Sequence, residues 1–270
     1  MTRKSWKKNL LAWFSKLAEG PVKRGLRATA MSIWPVIPKR FLINWGDNVL
    51  QVGTPSPETI RHYLEIVGPG GRIVVVEPEE SNYRRLSDDP VLAAAANVTI
   101  VQRAAWSERG MLELVVSKSA VDHKIAVPGI VHDNDLVPDN YRGVQSVLAD
   151  TVDGILNELN VPHIDYAEIH VNGAEIEVLR GMSHSLENTS RLHIKGHARF
   201  EETGEAINER IVEFLNARGF TSKIGVCTKA REEAAGTASW HSRAGDVLAV
   251  RRARSRLGPS PVLEAERCPC

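Results

Sequence analysis

Gly53 and Glu77 stand 24 positions apart, and each closes a short apolar run. A glycine ending one strand lets a backbone approach a ligand closely, and an acid ending the next can accept hydrogen bonds from both hydroxyls of a ribose. The plainer alternatives are an ordinary strand-to-helix turn at Gly53 and a solvated acid ahead of Pro78. A third place is the end of the run 166–171, followed by Asn172-Gly173-Ala174-Glu175. His170 lies there. An unperturbed imidazole titrates near about 6.5, so it can take a proton from a hydroxyl, or it can serve as a neutral hydrogen-bonding residue at a strand end. His197 ends the next predicted strand and falls at the same edge. Two histidines without an evident third ligand do not make a metal centre, so none is predicted. Glu175 sits near a helix start, where the dipole favours an acid with or without a chemical role. Trp106, after the third strand, is placed to flank an adenine ring or to pack.

The first turn discriminates between cofactors. A dinucleotide fold uses G-x-G-x-x-G so that backbone amides at a helix N-terminus hold a pyrophosphate. Here the turn reads Gly53-Thr54-Pro55-Ser56-Pro57. Two prolines remove amide donors that a phosphate needs. A nicotinamide cofactor is disfavoured, whereas S-adenosylmethionine, which has no phosphate, loses less.

These residues need a scaffold that aligns strand ends, and the rest of the chain supplies the pattern of one. Residues 48–53 read as a buried strand. Ser56, Pro57 and Glu58 open a helix whose inward stripe is Ile60, Leu64 and Val67. The β-branched run 73–76 suits a parallel sheet buried on both faces. A helix over 81–96 precedes a strand over 98–102, then come an extra strand over 111–116, a loop-like stretch over 117–143 and a strand over 144–148. Further helices are predicted over 151–159, 174–186 and 205–218, and further strands over 166–171, 191–197, 222–226 and 247–250. Such alternation implies βαβ units and an α/β, Rossmann-like, doubly wound and mainly parallel sheet over residues 44–250.

At this point the sequence resembles a known family. The stretch from Asp165 through Glu168, His170, Asn172, Gly173, Ala174 and Glu175 to Gly181 is similar to the signature of FkbM-type methyltransferases, I-D-L-L-K-I-D-V-E-G-A-E-x-x-V-L-x-G. Val76-Glu77-Pro78, Asn97-Val98 and Thr151-Val152-Asp153 agree with other family motifs in order and spacing. The resemblance spans roughly residues 48–199. It implies S-adenosylmethionine as methyl donor and a hydroxyl on a sugar, lipid or natural product as acceptor. The chain departs from the family's D-x-G-A-N-x-G at Gln51, Pro55 and Pro57, and from its Lys, Asp and Glu at Glu168, His170 and Asn172. A methyltransferase is therefore expected, transferring to oxygen, with Gly53, Glu77 and Trp106 at the cofactor and His170, Glu175 and His197 in the chemistry. The rival is a methyltransferase-fold protein acting as a binding or scaffold module; the altered first motif supports it, and the intact Glu77 and Gly173-Ala174-Glu175 oppose it.

Charge is divided along the chain. Residues 1–40 hold ten Lys or Arg and one acid, so of the 34 bases and 33 acids in all, 24 and 32 remain for the body. The head is near +9 and the body near −8. A helix over 5–18 would align Trp6, Leu10, Trp13, Phe14 and Leu17 in one apolar stripe. Residues 1–43 thus read as a basic amphipathic extension that contacts an anionic membrane or docks on the body; nucleic acid is disfavoured because the aromatic residues share one stripe. No apolar run reaches the ~18–20 residues that span a bilayer. Cys227, Cys268 and Cys270 form no disulfide framework. A cytoplasmic protein with optional peripheral membrane attachment is expected, and residues 251–270 are read as a disordered tail.

Overall fold

The computed structural model describes residues 42–53, 56–132, 140–196, 198–225 and 246–252, with a few isolated positions nearer the amino terminus. The head helix predicted over 5–18 and nearly all of the extension and tail lie outside them.

Strands β1 (Asn48–Val52), β2 (Arg72–Val76) and β3 (Val98–Val101) pair in parallel. Helices α1 (Pro57–Val67), α2 (Glu80–Ser87) and α3 (Pro90–Ala93) connect them. The chain then leaves the sheet to build a smaller one from β4 (Ala104–Ala105), β5 (Gly110–Ser117), β6 (Lys124–Ile125) and β8 (Tyr141–Asp150), with β7 (Ile130–His132) outside it. It returns through α4 (Val152–Glu158), β9 (Ile164–Ile169), α5 (Glu175–Arg180) and β10 (Thr189–Ile194). Then follow β11 (Ala198–Phe200), which pairs with β7, and α6 (Ile207–Asn216), β12 (Phe220–Ile224) and β13 (Val247–Arg251).

The central sheet has the order β12-β13-β10-β9-β1-β2-β3, with only β13 running against the rest. The expected mainly parallel, doubly wound sheet is thus present. Strand order reverses between β1 and β9, so ligand binding belongs at their carboxyl ends. Alternation along the strands buries both faces. Leu50, Val52, Val74, Val76 and Ile169 pack with α4, α5 and α6, while Val49, Ile73, Val75 and Tyr166 pack with Ile60, Tyr63 and Val67 of α1.

Local chemistry sets the element ends. Ser56 Oγ accepts from Thr59 N–H at the start of α1, and Gly68 at φ +66° ends it. The single helix predicted over 81–96 is two. Asp89 caps a second start by accepting from Val91 and Leu92 N–H, and Pro90 cannot continue the first helix. The stretch 117–143 is not all loop: it holds β6, β7 and the first residues of β8, which β5 recruits through a register running from Gly110↔Ala149 to Ser117↔Tyr141. The helix predicted over 174–186 stops at Arg180, and a 3-10 turn forms at Ser185–Asn188. The strand predicted over 191–197 ends at Ile194. No helix among the described residues is long and apolar enough to cross a membrane.

Candidate active site

A cavity opens at the carboxyl ends of β1, β2 and β9, where the topology requires one. Gly53, Glu77, His170, Val171 and Ala174 line one side, and Ala104, Ala105, Leu114, Lys124 and Ile125 of the smaller sheet, with His123 just ahead of β6, line the other.

Gly53 has φ +73°, and a Cβ there would fall 2.2 Å from His170 O. The glycine is needed for its own backbone and because the end of β9 presses on it, with His170 N–H donating to Val52 O at 2.9 Å. Gln51 occupies the place of the family's first acid. Its buried amide donates from Nε2 to Gly53 O at 2.9 Å, a bond a carboxylate could not donate, while Oε1 is buried without a hydrogen-bond partner. Glu77 is buried, and Oε1 accepts from Glu79 N–H at 2.9 Å, which aims the carboxylate beside the cavity.

His170 is half-buried and lines the cavity at the end of β9. Asn172 follows in the left-handed region at φ 53°. Its Nδ2 donates to Val121 O and His123 O, each at 2.9 Å, and ties the β5–β6 connection to the end of β9. A glutamate there could make neither bond. Glu175 is wholly buried; its carboxylate accepts from Gly173 N–H at 3.1 Å and burial pushes its pKa up to about 7. It therefore holds the loop that carries His170, away from the cavity surface. Trp106 does not line the cavity. Its neighbours Ala104 and Ala105 do, and its ring packs with the cluster around Leu114 and Val147. Its carbonyl oxygen would lie 1.9 Å from a Cβ on Gly181, which explains the glycine ending the signature stretch. His197 lies outside the described residues.

In the sequence Glu168 stands out only as a departure from the family pattern, and His123 not at all. Glu168, Gln51 and His193 stand in register across three strands on the α1 face. Glu168 accepts from Tyr63 OH at 2.5 Å and Tyr166 OH at 2.9 Å, and pairs with Lys195 Nζ at 3.1 Å. His193 Nε2 lies 2.7 Å from Asp246 Oδ2. Burial pushes both tyrosine pKa values up and that of Lys195 down. His123 could not have been found from spacing, because long-range contacts place it.

The residues fit an adenosyl methyl donor. Glu77 offers a buried acceptor for ribose hydroxyls, Ala104, Ala105, Leu114 and Ile125 offer apolar walls for a purine, and Gly53 and Ala174 leave room beside His170. Among the described residues no group of three or more His, Cys, Asp or Glu could hold a metal ion. Beyond Gly173 and Ile130 lies a broad groove lined by Pro128, Glu177, Arg180, Phe200, Glu201, Glu205 and Arg210. A small pocket between them shares Lys124 and Ile125 with the cavity and Val127, Ile130 and Gly173 with the groove.

Residues 51–222 match the Methyltransferase FkbM domain family. Among solved structures, the chain is similar to Aeropyrum pernix fibrillarin with natively bound S-adenosyl-L-methionine, at 16% identity and TM-score 0.44 over 90% of this chain and 74% of that one. It is also similar to the O-methyltransferase TomG from Streptomyces achromogenes, at 15% identity and TM-score 0.42 over 88% and 82%. Precorrin-6y C5,15-methyltransferase from Geobacter metallireducens shows 13% identity and TM-score 0.40 over 88% and 93%. No curated protein matches the chain in sequence.

Proposed function

We propose that this chain, which belongs to the FkbM methyltransferase family and takes its methyl group from S-adenosylmethionine, delivers that group to a hydroxyl oxygen of a sugar, lipid or natural product. The observation that carries the reading is His170, an imidazole at the end of β9 in the wall of the donor cavity, with a broad groove beyond Gly173.

When bound, S-adenosylmethionine supplies a sulfonium-activated methyl group. Glu77 accepts from the ribose hydroxyls, and Gly53 keeps the neighbouring wall free of a side chain. His170 takes the proton that the acceptor hydroxyl releases as its oxygen gains the methyl group. Glu175 and Asn172 keep the 170–173 loop in place for that transfer. The groove offers carboxylates at Glu177, Glu201 and Glu205 to accept hydroxyl protons, and the ring of Phe200 for a sugar or apolar face.

Labelled methyl transfer to a panel of free glycosides and to the same glycosides with every hydroxyl acetylated tests oxygen as the acceptor. Label is expected only on the free forms; label on the acetylated forms overturns transfer to oxygen.

We propose further that residues 1–40, with their net charge near +9, attach the protein reversibly to the cytoplasmic face of an anionic bilayer, each nearby basic residue contributing about 1 kcal/mol. The full chain is expected to co-sediment with phosphatidylserine liposomes at low salt. Equal behaviour of a chain lacking residues 1–40 overturns this.

A further inference from the structure

Among the described residues lining the cavity, His123 carries the one buried side-chain nitrogen or oxygen that has no hydrogen-bond partner, Nε2. Its side chain is 8% exposed. Ser117 N–H donates to Nδ1 at 2.9 Å, and burial lowers the pKa of the ring, which favours the neutral form. A neutral imidazole whose Nδ1 lone pair is engaged carries its proton on Nε2. The ring therefore holds a fixed N–H donor, buried beside the cavity and without a hydrogen-bond partner. Glu79 Oε2, at 3.8 Å, is beyond hydrogen-bond reach and already accepts from Ser81 Oγ at 2.6 Å and Asn82 N–H at 2.7 Å.

The segment bearing this donor is tied down on both sides of β1. Asn82 Nδ2, near the start of α2, donates to Ala120 O at 2.8 Å, and Asn172, beyond β9, donates to Val121 O and His123 O. A donor held so firmly and left unpaired in a buried wall costs free energy until an acceptor arrives with a ligand.

We propose that His123 is a ligand-binding residue that donates from Nε2 to a ribose oxygen of the adenosyl group. This rests on the family reading that S-adenosylmethionine is the donor. The chemistry of Glu77 selects the ribose. An ionised carboxylate only accepts, so it engages the hydroxyl protons and leaves the hydroxyl oxygens in need of a donor. His123 stands beside Glu79, two residues beyond Glu77, and supplies one. Acceptor and donor together recognise a vicinal diol from both sides.

The test titrates the full chain, the His123→Asn variant and the His123→Gln variant with S-adenosylhomocysteine by calorimetry, so that the readout is affinity and not turnover. Asparagine reproduces the Nδ1 end of the ring and can still accept from Ser117 N–H, but does not reach the cavity. Glutamine reproduces the Nε2 end. We expect His123→Asn to bind about five- to tenfold more weakly and His123→Gln to stay within about threefold of wild type. Removing one ribose hydroxyl, as the 2′-deoxy or the 3′-deoxy analogue, should erase the difference between wild type and His123→Asn. Equal binding by His123→Asn, or weaker binding by His123→Gln, would show that the ring only braces its segment and would overturn the proposal. A difference that survives both deoxy analogues but vanishes with a deazapurine analogue would overturn the ribose assignment. Failure of the wild-type chain to bind S-adenosylhomocysteine would instead bring down the donor reading itself.

Discussion

The carbonyl oxygen of His170 occupies the space that a side chain on Gly53 would need, 2.2 Å from an added Cβ. The end of β1 and the end of β9 therefore meet backbone to backbone. Gly53→Ala combines a left-handed φ of +73° with that collision. Together they should cost about 2–4 kcal/mol. A urea midpoint unchanged from wild type would contradict the arrangement; a lowered midpoint with weakened S-adenosylhomocysteine binding is expected.

Glu77→Ala should weaken S-adenosylhomocysteine binding about tenfold or more, since a hydrogen bond to a charged group contributes roughly 1.5–3 kcal/mol. Glu79 N–H also loses its acceptor, so a small drop in thermal midpoint should accompany the loss. Unchanged affinity in the folded variant would remove Glu77 from the site.

The proton-accepting role proposed for His170 would separate turnover from binding. His170→Ala should lower kcat far more than it weakens S-adenosylhomocysteine binding. His170→Asp places the family residue at this position. Full activity in that variant would assign His170 a positioning role instead.

Glu175 gives a pH signature. Its folded pKa, about 7, lies above the usual carboxylate value of 4.5. Between those values the folded state holds a proton that the unfolded state has released, so this group makes stability fall as pH rises through the window. The full effect is about 3 kcal/mol and is complete above pH ~7. Glu175→Gln keeps an acceptor for Gly173 N–H but cannot ionise. The variant should gain stability relative to wild type from pH 5 to pH 8 in urea titrations, and parallel curves would refute the shift.

The sheet was legible because its signals are local. The run 73–76 announces a doubly buried strand, and the spacing from Gly53 to Glu77 fits one βαβ step. The break at Asp89-Pro90 is equally local: an acid that caps a new start and a proline that cannot continue the preceding helix. Other features are set by distant partners. Strand β8 is partly exposed, with Val144 and Leu148 facing out, and only its pairing with β5 makes it a strand. The environment of Glu168 comes from Tyr63 of α1 and Lys195 beyond β10, neither of which neighbours it in sequence. His123 gains its role from Ser117, Asn82 and Asn172 acting together, so no spacing rule marks it.

Glu168→Ala should destabilise the chain by about 1–3 kcal/mol for each buried tyrosine hydroxyl that loses its acceptor, whereas Lys195, 31% exposed and still beside Asp246, loses less. A fall of less than about 1 kcal/mol in denaturant would show that water enters to replace it.

The middle of the sheet has a consequence for the order of assembly. Strand β1 leaves synthesis early and can pair at once with β2, but its other neighbour is β9, joined through Val52↔Ile169. More than a hundred residues, including the whole smaller sheet, must emerge before that edge is covered. Until then β1 offers an open parallel edge, the kind of non-local pairing that folds slowly and invites mispairing. On the proposed placement of the methyl donor, its cavity is complete only once β9 has paired and Gly53 has closed against His170. Ligand capture therefore marks the end of folding, and the donor should speed recovery only in its last phase.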